Sequence, residues 1–362
     1  MSIPNHKKNA CDAAAKGAAI AWRALSAVAL LVGIIAIIEP ALAAPVELHG
    51  AGSTFVAPLL KAWIDRFDMV QEGTSIKYDV VGSGEGVARF KAGTVDFGAS
   101  DTVIPVVEAE KVQRGVVQVP STAGMIVLAY NLPGVKGQLR LPQDVYVDIF
   151  LGKIRSWRDA RIVAANHGLN LPSTDIAVIV RQDSSGTTYA FTDHLSAASK
   201  SWSNGGPGVG MLVDWPHVSM QVRGNEGVAS RIKISEGSIG YVEYGFALRL
   251  GLPMAVLQNK DGQFVAPTPQ SGAAGLAASS AGVGLDALDE STTKPSGPKS
   301  YPIVTYSWLL LYRSYTAEQT QSLTSFVDYV LDDGQSYAPY SGYLALPPSV
   351  VQLGKAALAK VQ

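Results

Sequence analysis

Short apolar runs alternate with amphipathic segments along most of the chain, which is the order expected of an α/β protein. Residues 176–180 (IAVIV) form an unbroken, mostly β-branched run, typical of a strand buried on both faces. From 187 to 198, apolar residues recur at three- and four-residue spacing, which predicts a helix. The turn over 181–188 is therefore expected at the N-terminus of a helix.

The same strand, turn and helix pattern occurs earlier in the chain. An apolar stripe over 59–67 predicts a helix that follows the turn at 50–55. Residues 76–81 then predict a strand, 82–86 (GSGEG) a tight turn, and 87–92 a short helix. The next predicted strand, 94–101, ends in a polar turn at Asp101.

The first 43 residues differ in kind from the rest and are predicted to be a signal peptide. Four basic residues precede an apolar core at 27–38, and Ala-Leu-Ala at 41–43 suits cleavage after Ala43 or Ala44. The core is about a dozen residues long, whereas a membrane span needs roughly 20. The single cysteine, Cys11, lies in this leader, so we expect a mature chain without disulfides or a lipid-acceptor cysteine.

The charge of the mature chain argues against nucleic acid as a partner. Of 29 basic and 30 acidic residues, four basic and two acidic ones lie in the leader, so 25 and 28 remain and the formal net charge is −3. A net negative protein does not attract anions through its global field. Any anion site must therefore use local dipoles and hydrogen bonds. The remaining 319 residues suffice for two domains.

The turn at 181–188 (RQDSSGTT) has the chemistry of an anion cradle. It combines a fixed cation, hydroxyls and a glycine with a helix N-terminus, where free N–H groups and the macrodipole favour negative charge. A plainer interpretation stays open, namely a capped helix with Arg181 paired to Asp183 on the surface.

The earlier turns do not match the common nucleotide or hydrolase motifs. In the GSGEG turn, Val87 stands where a dinucleotide fingerprint needs a third glycine or alanine, and no P-loop lysine follows. Ser83 does not lie in G-x-S-x-G, so a hydrolase nucleophile elbow is not supported. Asp101 is either part of a ligand site or a cap for the next segment.

Together, these turns resemble those of the periplasmic phosphate-binding proteins of ABC transporters, the PstS family. The resemblance covers nearly the whole mature chain. The matching segments are 50–55 (GAGSTF), 81–84 (VGSG), 94–101 (TVDFGASD), 151–157 (LGKIRSW), 181–187 (RQDSSGT), 237–244 (GSIGYVEY) and 346–350 (LPPSV).

The resemblance implies a two-lobed, type II-like periplasmic binding protein fold, each lobe a mixed β-sheet flanked by helices. It implies that 44–121 and 302–362 form lobe 1 and that 122–301 form lobe 2. Two crossovers near residues 121 and 301 would serve as hinge segments.

The resemblance also implies a phosphate site whose donors are hydroxyls, backbone N–H groups and one guanidinium. In the family, Asp183 pairs with the arginine and orients it. The implied phosphate-binding residues are Thr54, Phe55, Ser83, Asp101, Arg181, Ser185, Gly186 and Thr187.

Asp101 would explain selectivity, because a carboxylate repels an anion that has no proton to donate; phosphate carries one near neutral pH and sulfate does not. The sequence departs from the family pattern at Glu85, an acid where relatives often carry small residues. This puts local affinity or pH dependence in question unless Glu85 points to solvent. The segment 223–227 (RGNEG) is another altered family segment.

The expected function is high-affinity binding of inorganic phosphate and its delivery to a membrane ABC permease with two transmembrane subunits and ATPase subunits. We expect a periplasmic monomer without cofactor or metal, and not an enzyme. The alternative is a secreted phosphatase or phosphoester-binding enzyme using the same cradle. It is disfavoured because the cradle segments contain no histidine or lysine to act as a base.

Overall fold

The computed structural model describes residues 45–288, 292 and 295–362. The predicted signal peptide and Cys11 lie outside the described residues. No helix in the described part of the chain is long and apolar enough to cross a membrane.

An eight-stranded mixed sheet forms the centre of the fold. Its spatial order is β2 (Thr74–Val80), β1 (Val46–Gly52), β3 (Phe97–Ser100), β11 (Val304–Tyr312), β4 (Val116–Asn131), β8 (Ser238–Glu243), β6 (Ala177–Arg181) and β7 (Met220–Val222). A smaller sheet contains β5 (Arg140–Leu141), β9 (Val256–Gln258) and β10 (Phe264–Val265).

Two long, buried strands join the two ends of the large sheet. Strand β4 pairs with antiparallel β11 from Val116 to Met125 and with antiparallel β8 from Ile126 to Asn131. All nine residues of β11 are buried. An almost continuous apolar run is what a strand covered on both faces requires, and β11 (VTYSWLLLY) has such a run.

Helices cover the sheets. Their bounds are α1 (Ala57–Val70), α2 (Ser83–Lys91), α3 (Val106–Ala109), α4 (Gln143–Phe150), α5 (Ala160–Ala165), α6 (Gly186–Ala198), α7 (Lys200–Ser203), α8 (Gly224–Ile234), α9 (Tyr244–Arg249), α10 (Pro269–Ser280), α11 (Ala317–Leu331) and α12 (Pro348–Leu358). Short 3-10 helices span Leu285–Ala287, Asp333–Tyr337 and Pro339–Ser341.

The predicted strand, turn and helix units are confirmed, but some of their bounds differ. Strand β1 continues to Gly52, into the turn predicted at 50–55, and β3 begins at Phe97, where the sequence predicted a strand from 94. The main correction is at α2. This helix begins at Ser83 and not at Val87, so the glycine-rich residues form its first turn. The reason is packing: a Cβ on Gly86 would stand 2.3 Å from the Cα of Gly52. Glycine therefore serves here to bring the first turn of α2 against the end of β1, and not to break the helix.

The candidate anion-binding site

Asp101 lies directly after β3 and is surrounded by serine hydroxyls. Its Oδ1 accepts hydrogen bonds from Ser53 Oγ at 2.6 Å and Ser307 Oγ at 3.0 Å, and its Oδ2 accepts one from Ser83 Oγ at 3.4 Å. The side chain is buried. A buried carboxylate held by neutral donors keeps its acceptor character, because none of these groups neutralises its charge.

Burial raises the pKa of Asp101 to about 6, against the opposing effects of the serine hydroxyls and the Arg181 charge. The carboxyl is therefore mostly ionised at neutral pH. The capping alternative is wrong: the next helix, α3, has Pro105 as its N-cap and no side-chain cap.

Arg181 ends β6, and Asp183 holds it from one side. Its Nε donates to Asp183 Oδ1 at 2.7 Å, and its Nη2 donates to Asp183 Oδ2. Only 1% of the Arg181 side chain is exposed, so the interpretation of this pair as a surface ion pair is wrong. The N–H of Gly224 also donates to Asp183 Oδ1, at 3.1 Å.

Asp183 remains charged in this arrangement. Burial acts to raise its pKa, but the hydrogen bond and charge of Arg181, together with the Gly224 N–H, outweigh burial and hold the pKa below its usual range. The ion pair thus fixes the plane of the guanidinium before any ligand binds.

The remaining nitrogen of the guanidinium, Arg181 Nη1, is buried and has no hydrogen-bond partner among the described residues. Buried donors in native proteins are nearly always paired, because an unpaired one costs about 1–3 kcal/mol, or more when charged. The protein thus presents a charged donor that an anion would satisfy.

The N-terminus of α6 lies against the end of β3. Ser185 is its N-cap, with Oγ accepting the N–H of Thr188 at 3.1 Å. The next two residues, Gly186 and Thr187, open the helix, so their N–H groups have no carbonyl partner within it. A Cβ on Gly186 would stand 2.6 Å from Ser83 Oγ and 2.7 Å from the Cβ of Asp101. This close approach requires glycine.

Thr54 and Thr187 come together through a residue that the sequence did not single out, Asn225 in the first turn of α8. The Nδ2 of Asn225 donates to both threonine Oγ1 atoms, each at 3.1 Å. The structure thus joins residues from the turns at 50–55 and 181–188 through the start of α8.

Phe55 is placed beside the same group of residues. Its ring is fully buried and meets Tyr343 edge to face, with centroids 6.0 Å apart. Its N–H donates to Ser53 Oγ at 2.9 Å, so this donor already has an acceptor within the protein. Its role toward phosphate stays a prediction.

Three residues of the site, Ser53, Ser307 and Asn225, were missed from sequence. Ser53 precedes Thr54 in the turn at 50–55, and its place in that turn could have marked it as a site residue. Ser307 is hidden in an apolar strand, and its register with β4 shifts between Ser307 and Trp308. Such a bulge re-aims a side chain locally, which no periodicity shows.

Glu85 points away from this site. Its side chain is 53% exposed and pairs with Arg89, whose Nε lies 2.8 Å from Glu85 Oε1, and Arg89 also contacts Asp79. Glu85 is thus an acidic residue in the first turn of α2 that points to solvent, which is the second of the two possibilities that the sequence left open.

A cavity of ≈ 1290 Å³ lies beside the site and shares Thr54, Asp183 and Gly224 with it. The cavity is lined on one side by residues of α1, β2 and α2, and on the other by the segment around Asp183 and by α8. Among the residues that the structure describes, no group of three His, Cys, Asp or Glu side chains could hold a metal ion.

The fold and this site define a member of the PBP superfamily. The family model described as "PBP superfamily domain" matches residues 39–334. Curated relatives narrow the class: the phosphate-binding protein PstS of Xylella fastidiosa (strain 9a5c) is 39% identical over 309 residues, 85% of this chain and 83% of that protein. PstS of Methanocaldococcus jannaschii is 34% identical over 333 residues, which cover 85% of this chain and 84% of that protein. The chain belongs to the PstS family.

Solved structures show the same fold at lower identity. A high-affinity periplasmic phosphate-binding protein, PfluDING, solved with bound phosphate, has a TM-score of 0.69 and 20% identity, and the match covers 86% of this chain and 93% of that one. The phosphate-binding protein from Stenotrophomonas maltophilia has a TM-score of 0.68 and 20% identity, and the match again covers 86% of this chain and 93% of that one. The predicted two-lobed, mixed α/β periplasmic binding protein fold is confirmed.

Proposed function

We propose that this protein binds inorganic phosphate between its two lobes and delivers it to an ABC-type permease. One observation carries the proposal: the buried Arg181 Nη1 has no partner among the described residues and belongs to the same site as the buried carboxylate of Asp101. An unpaired cationic donor selects an anion. An acceptor-only carboxylate selects an anion that still carries a proton. The PstS relatives and the structurally similar PfluDING are named as phosphate-binding proteins.

In this proposal, Arg181 supplies the only charged donor of the site, and the other donors are neutral. Besides Asp101, which accepts the proton of phosphate, the neutral donors are Thr54, Phe55, Ser83, Ser185, Gly186 and Thr187. Neutral donors suit a protein of negative net charge, because local hydrogen bonds and the N-terminal dipole of α6 attract the ligand where the global field does not.

The lobe boundaries, 44–121 with 302–362 and 122–301, are part of the proposal. Three hydrogen bonds cross this division beside the site. Gly84 N donates to Ser184 O at 3.1 Å, and the backbone N and the Nδ2 of Asn225 donate to Thr54 Oγ1 at 3.2 and 3.1 Å. We therefore assign the structure to the closed arrangement. Small-angle scattering tests this: phosphate should compact the ligand-free protein, and superimposable profiles would exclude a hinged closure.

The proposed setting is the periplasm of the cell. The predicted leader, residues 1–43, would direct export and be removed, leaving a soluble monomer without a lipid anchor. The partner is a permease complex with two transmembrane subunits and ATPase subunits, as the family implies.

We also propose that the protein is not an enzyme and needs no cofactor. The side-chain hydrogen bonds of the site described above involve serines, threonines, one asparagine, one arginine and two aspartates, but no histidine or lysine that could serve as a general base. Retention of product phosphate by a phosphatase would use similar donors, so the experiment must separate binding from turnover.

The test is equilibrium dialysis of ligand-free protein with radiolabelled phosphate, run beside an assay with a generic phosphomonoester. The proposal expects one phosphate per chain, no release by excess sulfate, and no turnover. Hydrolysis that disappears in Ser83→Ala or Asp101→Asn would support the phosphatase alternative. Absence of phosphate binding would refute the proposed function.

A further inference from the structure

We propose that Asn225 is a positioning residue that fixes the direction of the hydrogen bonds of Thr54 and Thr187, so that both hydroxyls donate to bound phosphate. This inference rests on the proposed function. It assigns a role to a side chain in the segment 223–227, to which sequence reasoning gave no chemistry.

The side chain of Asn225 is fully buried and every polar atom in it is used. Its Oδ1 accepts the N–H of Glu243 at 3.0 Å. Its Nδ2 donates to Thr54 Oγ1 and Thr187 Oγ1. Because a backbone N–H can only donate, the contact with Glu243 fixes which end of the amide is oxygen. The NH₂ group therefore faces the two threonines.

This orientation limits what the threonine hydroxyls can do. A hydroxyl has one proton to donate and two lone pairs that accept. Thr54 Oγ1 accepts from both the Nδ2 and the backbone N of Asn225, at 3.1 and 3.2 Å. Both lone pairs are thereby engaged, and donation is the capacity that remains. Thr187 Oγ1 has one lone pair engaged in the same way.

In the part of the chain that the structure describes, neither hydroxyl donates to a protein acceptor. Their protons are thus available to the ligand. A phosphate oxygen is an acceptor and matches this arrangement. A donor turned toward the ligand in advance does not have to be reoriented on binding, which strengthens the interaction.

The first turn of α8 connects this device to Arg181. The Gly224 N–H donates to Asp183, which holds the guanidinium, and the Asn225 N–H donates to Thr54. Two successive N–H groups of one 11-residue helix therefore hold ligand-binding groups that come from distant parts of the sequence. Moving Asn225 would disturb both threonines without touching phosphate.

Asn166 provides a matched control. Its amide also makes three hydrogen bonds, accepting from Arg140 N and donating to Arg140 O and Ile162 O, and it is buried. None of these partners belongs to the site. Asn166→Ala and Asn225→Ala thus remove equal numbers of hydrogen bonds from buried positions, and differ in whether the partners are ligand-binding hydroxyls.

The experiment is a double-mutant cycle in phosphate affinity, measured by calorimetry on folded proteins. Asn225→Ala should weaken phosphate binding roughly tenfold or more, because two oriented donors to a charged ligand are lost. In the Thr54→Val, Thr187→Val background, Asn225→Ala should change the affinity by less than about twofold, because no hydroxyl is left to orient. Asn166→Ala should lower the melting temperature and leave phosphate affinity unchanged.

Equal effects of Asn225→Ala in both backgrounds would overturn the inference, as would an affinity unchanged by Asn225→Ala. If that variant does not fold, Asn225→Asp is used: its carboxylate draws both hydroxyl protons away from phosphate, so it should cost more in the native background than in the valine background. Equal costs would again overturn the inference. Failure of the unmutated protein to bind phosphate would instead refute the proposed function, and this inference with it.

Discussion

Gly186 lies so close to Asp101 that a Cβ on Gly186 would stand 2.7 Å from the Cβ and 2.9 Å from the backbone N of Asp101. The first residue of α6 thus meets the end of β3, although 85 positions separate the two residues in the sequence. Real Cβ atoms do not approach backbone this closely. The contact therefore exists only while position 186 has no side chain.

Gly186→Ala is expected to prevent this approach and to weaken phosphate binding at least about 100-fold, since misplacement by about 1 Å can cost that much at a site built on precise geometry. Gly227→Ala is the control, because a Cβ there would meet its nearest neighbours at 3.6 to 4.0 Å, an ordinary contact. Calorimetry on both variants decides. If Gly186→Ala binds phosphate with the native affinity, the close approach of Gly186 to Asp101 is not needed for binding.

Arg181→Ala should weaken phosphate binding by about 1.5–3 kcal/mol for lost charged hydrogen bonds. A further loss should come from Asp183, which would remain buried beside the anion without its partner. The double variant Arg181→Ala, Asp183→Ala should therefore bind phosphate better than Arg181→Ala alone. Arg89→Ala, which removes an α2 arginine whose side chain is 34% exposed, serves as the control and should have little effect. Equal affinities in Arg181→Ala and the native protein would contradict the proposed site.

Asp101→Asn should raise sulfate affinity relative to phosphate by roughly tenfold or more, because removing an unpaired buried repulsion is worth about 1–3 kcal/mol. The amide keeps the size of the carboxyl and can also donate. Competition binding at fixed ionic strength measures the ratio. Glu85→Gln removes an exposed charge nearby and should leave the ratio unchanged. If Asp101→Asn also leaves it unchanged, selectivity does not reside in Asp101.

Glu243 makes the stability of the ligand-free protein depend on pH. Burial raises its pKa from 4.5 to about 8, against the opposing N–H of Gly245 and the charge of Arg249. The folded protein therefore holds a proton that the unfolded chain has already lost between these values. The stabilising contribution is complete below about pH 4.5 and falls by about 1.4 kcal/mol per pH unit up to pH 8.

Glu243→Gln should flatten this decline, because the glutamine side chain does not ionise at any of these pH values. Urea unfolding of ligand-free protein at pH 5, 6, 7 and 8 measures it. Asp101, whose pKa is raised from 3.8 to about 6, should cause a smaller decline in the free energy of unfolding between these pH values, and it should do so in both proteins. Parallel stability curves for the two proteins would show that Glu243 is ionised throughout this range.

The polar turns were predictable because each follows an apolar strand and precedes an amphipathic helix. That pattern predicted a strand ending at 180 and a helical stripe from 187, each within one residue of the end of β6 at Arg181 and the start of α6 at Gly186. Local spacing is sufficient there, because strand ends and helix starts are defined by neighbouring residues.

What the sequence could not show was which turns contact one another. Asn225 lies 171 positions from Thr54, and Ser307 lies 206 positions from Asp101. Their importance comes from a helix start and a strand bulge brought close by the order of the sheet. Ser307 is a polar residue in an apolar strand. The sequence pattern does not distinguish a serine that holds a site residue from an ordinary buried serine with a hydrogen-bonded hydroxyl.

The start of α2 was misplaced for a related reason. Glycines at 84 and 86 indicate a turn when read locally, since glycine is a poor helix former. The close approach of Gly86 to Gly52 is a tertiary demand that outweighs this propensity. Helix bounds at such a junction depend on the neighbouring strand end as much as on their own residues.

A crystal structure of the protein with phosphate tests the proposed site most directly, with a sulfate-soaked crystal as the comparison. We expect one tetrahedral ligand within hydrogen-bond distance of Arg181 Nη1, the Thr54 and Thr187 hydroxyls and the Asp101 carboxyl, and no such density with sulfate. Phosphate bound elsewhere, or Arg181 Nη1 still without an acceptor in the phosphate complex, would contradict the proposed site.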